Sequence, residues 1–337
     1  MEFERLGSPP PPSDTGVEIT AGVHWLTLTI WGGSVPEVEA LVVSHFFAGH
    51  AGESLWELMG GARYFDARYE LAGYDVTIYA GPAGKRRGSE EYLSIEIKGS
   101  ALERLGSDGL KSLMTDLSVR WQVTSSRIDV ALDGAPFTPE WFEDQCEAGN
   151  LRSRVKRAPE SEWLSGSWTR SGQKRNRTVY LGSRQSDKHL RVYDRRGFTR
   201  CELECKRDAA TALVRILDSI AVEEWPAILT GAVDSFCAIV DSSGDPNITR
   251  APHLPPWAAL VRGSTGLSLA LPKRPVTFES KMDWIERSVS PTMSALVEVL
   301  GPVAGQAWLN DVIRHGRFRY GPRQRFLVAE AKDFAES

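Results

Sequence analysis

Three short stretches of this chain alternate strictly between apolar and polar residues, and that period of two is what most narrows the fold. In Arg127-Ile128-Asp129-Val130-Ala131-Leu132-Asp133 the apolar positions 128, 130 and 132 point one way, while Arg127, Asp129 and Asp133 point the other. In Arg200-Cys201-Glu202-Leu203-Glu204-Cys205-Lys206 the apolar set is 201, 203 and 205, and the opposite face carries Arg200, Glu202, Glu204 and Lys206. Arg191, Tyr193 and Arg195 share a face of a third stretch, and Ile95-Glu96-Ile97-Lys98 repeats the pattern once more. Side chains alternate across a strand, so these segments read as strands with one face in the core and one polar. One-sided burial of that kind favours antiparallel or mixed sheets over buried parallel ones.

The remaining elements fit around that sheet. Residues 1–17 read as a disordered proline-rich tail. Strands are expected at 23–30, 74–80, 91–98, 126–133, 178–181, 189–194 and 200–206. Ser34-Val35-Pro36-Glu37 and Thr138-Pro139-Glu140 each place a capping residue ahead of proline, which opens a helix. Ser100 is expected to cap another helix running to about Leu117, and Asp208 to begin the next. The basic stretch 151–177, rich in Ser, Arg and Gly, reads as a loop, and from about residue 208 helix dominates. The fold class is therefore α+β: a central antiparallel or mixed sheet with flanking helices and a mainly helical C-terminal third. The expected division is tail 1–17, a site-bearing domain 18–220, and a helical region 221–337 that either stands apart or packs on the same domain.

Charge is unevenly spread. The formal net charge is only −4, yet residues 151–200 hold 14 Lys/Arg against 4 Asp/Glu. A local excess of that size favours a polyanion held along one face, and the acidic remainder limits indiscriminate binding. A second basic run near the end interleaves aromatics: Arg314, Arg317, Phe318, Arg319, Tyr320, Arg323, Arg325 and Phe326. Aromatics beside guanidinium groups suit unpaired bases above a phosphate backbone, though a solvated helix end would read the same way. Cys146, Cys201, Cys205 and Cys237 are too few and too scattered for a disulfide framework, and Cys201 and Cys205 read as small core residues. No apolar run approaches the ~20 residues of a membrane helix. The expected compartment is the cytoplasm. The six histidines form no zinc spacing, and Gly81-Pro82-Ala83-Gly84-Lys85-Arg86 lacks the glycine and hydroxyl of a phosphate-binding loop.

If the alternating strands are neighbours, one sheet face gathers carboxylates, arginines and a tyrosine. Crowded carboxylates repel unless cations stand between them. Oxygen-only donors suit Mg2+ or Mn2+. Asp129 and Asp133 lie roughly 13 Å apart along a strand, too far to share an ion. Asp129 with Glu202 or Glu204 across strands is feasible, Glu96 is a further candidate, and Asp133 before Gly134 reads as a strand end. The alternative for the whole set is a solvated face laced with Arg–Glu pairs. A tyrosine beside such a cluster has one particular use: its oxygen can attack a phosphodiester to give a phosphotyrosine and a free 3′ hydroxyl.

The run from Thr178 through Tyr180, Gly182, Arg184, Ser186, Lys188 and Arg191 to Tyr193 and Arg195 resembles the replication initiation factor family, which includes rolling-circle initiators of pT181-type plasmids and relaxases of integrative conjugative elements. The strand 127–133, the strand 200–206 with Arg207, and Ile95-Glu96-Ile97 occur in matching order, so the likeness covers about residues 20–220. It implies a site-specific, metal-dependent DNA nickase using Mg2+ or Mn2+ that becomes joined to the 5′ end of the cut strand. By the same matching, Tyr193 is the nucleophile with Tyr180 as second candidate, and Asp129, Glu202, Glu204 and Glu96 are the metal ligands. The matching also implies that Arg184, Lys188 and Arg191 hold the DNA backbone, and Arg127, Arg175, Arg177, Arg195 and Lys206 are further candidate DNA contacts. The implied partners are origin DNA, single-stranded or as a hairpin, a host helicase and a second copy of the chain; a non-catalytic origin binder of the same fold is the alternative. Arg195 stands where lysine is usual after the tyrosine, which keeps the charge, and no helix-turn-helix extension precedes the domain.

Overall fold

The computed structural model describes residues 18–47, 55–62, 65–82, 92–153, 155, 164–168, 174–195, 197–244, 247–264, 267, 282 and 285–319. The proline-rich tail, the turn at 83–88, most of the basic stretch 154–173 and the end of the C-terminal basic run lie outside them. The chain divides into two compact units, residues 1–271 and 272–337.

The first unit is built on a ten-stranded sheet. In chain order its strands are β1 (Thr20–Trp31), β2 (Trp56–Ala62), β3 (Phe65–Leu71), β4 (Val76–Pro82), β5 (Tyr92–Lys98), β6 (Gln122–Ala135), β8 (Leu164–Trp168), β9 (Lys174–Leu181), β10 (Lys188–Arg195) and β11 (Phe198–Lys206), β7 lying elsewhere. Their spatial order is β2-β3-β4-β5-β1-β6-β11-β10-β9-β8, and every neighbouring pair is antiparallel. The expected α+β class with an antiparallel sheet is what the structure has. A separate two-stranded sheet pairs β7 (Leu151–Ser153) with β12 (Cys237–Ile239).

Alternation decides which side of the sheet is dry. Leu26, Leu28 and Ile30 of β1, Ile95 and Ile97 of β5, and Ile128, Val130 and Leu132 of β6 are buried together with Cys201, Leu203, Cys205, Leu190 and Val192. Helices α1 (Val35–Phe46), α2 (Gly99–Arg120), α4 (Arg207–Ser219) and α5 (Trp225–Phe236) supply the residues that meet them, among them Val42, Leu113, Leu213 and Val233. Each such side chain is worth about 1.5–3 kcal/mol when buried, so the helices hold firmly to one face. All four cysteines are free and buried. Helix α3 (Pro139–Glu147) starts as the sequence predicts: Thr138 Oγ1 accepts from Trp141 N at 3.2 Å. Ser34 likewise caps α1, with its own N–H donating to Glu37 at 3.0 Å.

Several expectations do not survive. β2 and β3 are a hairpin that alternation could not announce, because β2 ends the sheet with most of its residues exposed and so has no buried face to mark. The stretch 151–177 is not all loop: it contributes β7, β8 and the start of β9. Ser100 does not cap α2, which already begins at Gly99; its hydroxyl donates to Asp75 at 2.8 Å. Asp133 lies inside β6 and pairs with Arg200 instead of ending the strand. The expected division at residue 220 is not among them: α5, β12 and a short helix α6 (Pro255–Leu260) lie in the first unit, and α7 (Ser290–Leu300) and α8 (Pro302–Arg317) in the second.

Candidate nucleic-acid cleavage site

The sheet face opposite the helices carries the polar set. Register makes the neighbours: Asp129 on β6 faces Glu204 on β11, Glu202 faces Arg191 on β10, and Arg200 faces Tyr193. Three successive strands thus bring residues distant in sequence within side-chain reach.

Tyr193 is half-buried, and its hydroxyl donates to Glu202 Oε2 at 2.5 Å. The other oxygen of Glu202 accepts from Arg191 Nη2 at 2.6 Å, and the same nitrogen reaches Asp129 Oδ2 at 3.2 Å. Arg127 grips Asp129 with both ends of its fork, at 2.8 and 2.6 Å, and lies 2.9 Å from Glu204. Lys206 closes the row with an ion pair to Glu204. Asp129 and Glu202 are almost wholly buried beneath these cations.

Burial and neighbours push the two central acids in opposite directions. Burial raises Asp129 to about 6 despite Arg127, and the charges of Glu202 and Glu204 add to the rise. Burial opposes ionisation of Glu202 too, but His24, Arg191 and Tyr193 outweigh it and hold that carboxyl low. Burial first, and then the bond to Glu202, raises the Tyr193 phenol well above its ordinary value. The resting pair is therefore a protonated phenol donating to a carboxylate.

His24 was not legible in advance. Strict alternation along β1 would turn it toward the core with Leu26 and Leu28. The register slips between Val23 and Trp25, however, and the inserted residue re-aims the side chain. His24 Nδ1 lies 3.5 Å from Glu202 Oε1, and its Nε2 meets Arg195 Nη1 at 3.0 Å. Trp25, also unremarked in the sequence, faces Asp129 across the strands with the Arg127 guanidinium 4.1 Å above its ring.

The other candidates are distributed less tightly. Glu96 is buried on β5, with β1 between it and β6; Lys98 lies 3.1 Å away and the Tyr79 hydroxyl 3.5 Å away. Two strand spacings separate it from the Asp129 strand, roughly 10 Å. Tyr180 faces Arg191 from β9, stacked on His189 at 5.4 Å with Arg184 5.3 Å over its ring. Lys188 is half-buried on β10, and Arg184 is exposed, its carbonyl accepting from Lys206 at 2.7 Å. Arg175 and Arg177 pair by backbone with Ser167 and Gly166; their side chains lie outside the described residues.

Asp129, Glu202 and Glu204 offer the all-oxygen chemistry a hard divalent ion takes. As packed, the set does not fit one. Guanidinium nitrogens stand between the carboxylates, and among the described residues no three His, Cys, Asp or Glu side chains gather their donors for a metal.

The family model described as replication initiation factor matches residues 123–313, more than half of the chain. The chain belongs to the replication initiation factor family. The matched span holds β6, β10 and β11, so the acid–arginine–tyrosine face lies inside it. This family member is also similar to the rolling circle replication initiator protein from Geobacillus stearothermophilus. That likeness has a TM-score of 0.59 and 17% identity, over 75% of this chain and 99% of that one, and it shows a shared fold. Matches to a heterotetrameric sarcosine oxidase from Corynebacterium sp. U-96 and to E. coli aspartokinase III have TM-scores of 0.16 and 0.15 and carry no weight. No curated protein matches the sequence. No helix among the described residues is long and apolar enough to cross a membrane.

Proposed function

We propose that this family member is a rolling-circle replication initiator or relaxase that nicks one strand of an origin through Tyr193. The observation that carries the reading is the 2.5 Å bond from the Tyr193 hydroxyl to Glu202, on a half-exposed face lined with arginines. A phenol in that position has its proton acceptor already in contact. In the proposed step the Tyr193 oxygen bonds to the scissile phosphorus and its proton passes to Glu202. The bond from phosphorus to the 3′ oxygen breaks, and that oxygen takes a proton from solvent. The products are a 5′-phosphotyrosyl strand and a free 3′ hydroxyl. Arg191, which shares Glu202 with the phenol, would stabilise charge building on the phosphate oxygens. The family resemblance also implies Mg2+ or Mn2+, which Asp129, Glu202 and Glu204 as packed do not fit. Arg184, Lys188, Arg195 and Lys206 are the proposed grip on the strand, together with Arg175 and Arg177. A host helicase, a second copy of the chain and a cytoplasmic setting belong to the same proposal.

The test is direct. The protein is incubated with 3′-labelled single-stranded oligonucleotides tiling its replicon, in Mn2+, and resolved under denaturing conditions. A labelled adduct that survives denaturation is expected. Cleavage without an adduct would point to hydrolysis instead, and DNA binding with neither would leave a bare origin binder.

A further inference from the structure

Strand β1 carries one residue that has no partner on β6. Val23 pairs with Val130 and Trp25 with Asp129, so His24 is the extra residue of a bulge, which re-aims its ring. Two groups then meet that ring. Nε2 lies 3.0 Å from Arg195 Nη1. A guanidinium only donates, so Nε2 accepts and carries no proton, and the ring keeps its proton on Nδ1. Nδ1 is buried, has no hydrogen-bond partner at ordinary geometry among the described residues, and lies 3.5 Å from Glu202 Oε1. A buried N–H without an acceptor is costly, and Glu202 is the acceptor the fold sets before it. The second oxygen of Glu202, Oε2, accepts from the Tyr193 hydroxyl at 2.5 Å. Arg191 also reaches Oε1, but the nitrogen it uses is shared with Asp129, so it does not alone decide how the Glu202 carboxylate turns.

We propose that His24 is a positioning residue for the nicking step: its Nδ1–H, its tautomer fixed by Arg195, holds Glu202 Oε1 so that Oε2 stays turned to the Tyr193 phenol as proton acceptor. A weak nucleophile, a base, and a third group that orients the base is the arrangement by which such nucleophiles are activated. As Tyr193 bonds to phosphorus, its proton passes to Glu202 Oε2 and the bond to the 3′ oxygen breaks; His24 neither gives nor takes a proton. The 3.5 Å contact belongs to the DNA-free chain, and bonds of this kind commonly tighten in the reacting complex. The use of the bond rests on the nicking reading; the tautomer does not.

Two measurements on the full chain test this. Histidine-selective 15N labelling reads the tautomer of His24 in the DNA-free chain by NMR, its signals assigned by their loss in His24→Asn. The expected spectrum has Nδ1 protonated and Nε2 bare, and a proton on Nε2 would overturn the proposal. Single-turnover adduct formation is then compared in wild type, His24→Ala and His24→Asn, the asparagine amide putting an N–H where Nδ1–H stood. His24→Ala should form the adduct about tenfold or more slowly, the weight of one lost hydrogen bond. Oligonucleotide affinity, measured on a Tyr193→Phe background, should not fall with it. His24→Asn should recover most of the rate. A wild-type rate in His24→Ala would show the ring idle, and His24→Asn as slow as His24→Ala would show it merely packed; either overturns the positioning role. If His24→Ala does not fold, the tautomer in wild type still decides. No adduct from wild type sinks the nicking reading, whereas an adduct from a chain whose His24 carries its proton on Nε2 sinks the positioning alone.

Discussion

The polar face carries two tyrosine–carboxylate–cation groups, and they differ in what surrounds them. On the β4–β5 side, Tyr79 approaches Glu96 at 3.5 Å beside Lys98, and both tyrosine and acid are buried. On the β10–β11 side, Tyr193 donates to Glu202 at 2.5 Å beside Arg191, and the tyrosine is half-exposed. The residue types are nearly the same. The second group adds Asp129 and Glu204 within reach of shared guanidinium groups, a histidine delivered by a bulge, and access from solvent. The lesson is that a tyrosine beside an acid is a packing motif until neighbouring strands supply the fork-shaped cations and the opening that a phosphodiester needs.

Substitution can break that contrast. The largest effect is expected from the tyrosines: Tyr193→Phe should reduce the protein–DNA adduct to background, while Tyr79→Phe leaves it in place. An adduct lost with Tyr79 would reverse the assignment of the two groups. Next come the acids. Glu202→Gln removes the phenol's proton acceptor and should slow adduct formation about 100-fold or more, whereas Glu96→Gln should change it little; single-turnover rates measure both. Tyr180→Phe keeps the stack on His189 and should cost less than about tenfold, under the weight of one hydrogen bond in the transition state.

The smallest effects are on stability, and they separate Asp129 from Glu202 by sign. Asp129, raised from 3.8 to about 6, holds its proton more tightly when folded, so its contribution is present below pH 3.8 and lost as pH rises through 6. Glu202 is lowered from 4.5, so its contribution is present above pH 4.5 and lost as pH falls toward about 2. Urea unfolding across pH should show Asp129→Asn lacking the first decline and Glu202→Gln lacking the second, each on the order of 1 kcal/mol. Parallel pH profiles for the two variants would mean that the neighbouring acids do not divide their titration in this way.

Much of the face could be read from residue order. The alternation in 127–133, 191–195 and 200–206 assigned Asp129, Glu202, Glu204, Arg191 and Tyr193 to one side of a sheet, because burial of the other side writes a period of two into the chain. The resemblance singled out Tyr193 among eight tyrosines. His24 could not be found that way, since a bulge breaks the very parity on which the inference depends. The β2–β3 hairpin escaped for a related reason: an edge strand without a buried face has no pattern to show.

By itself, then, the sequence determined the face that residues of the regular strands occupy, because alternation is local and burial enforces it. Only the tertiary structure decided who stands beside whom. Strand order and register are set by packing among distant segments. They placed guanidinium nitrogens of Arg191 and Arg127 between the acids, and they left Glu96 with β1 between its strand and that of Asp129.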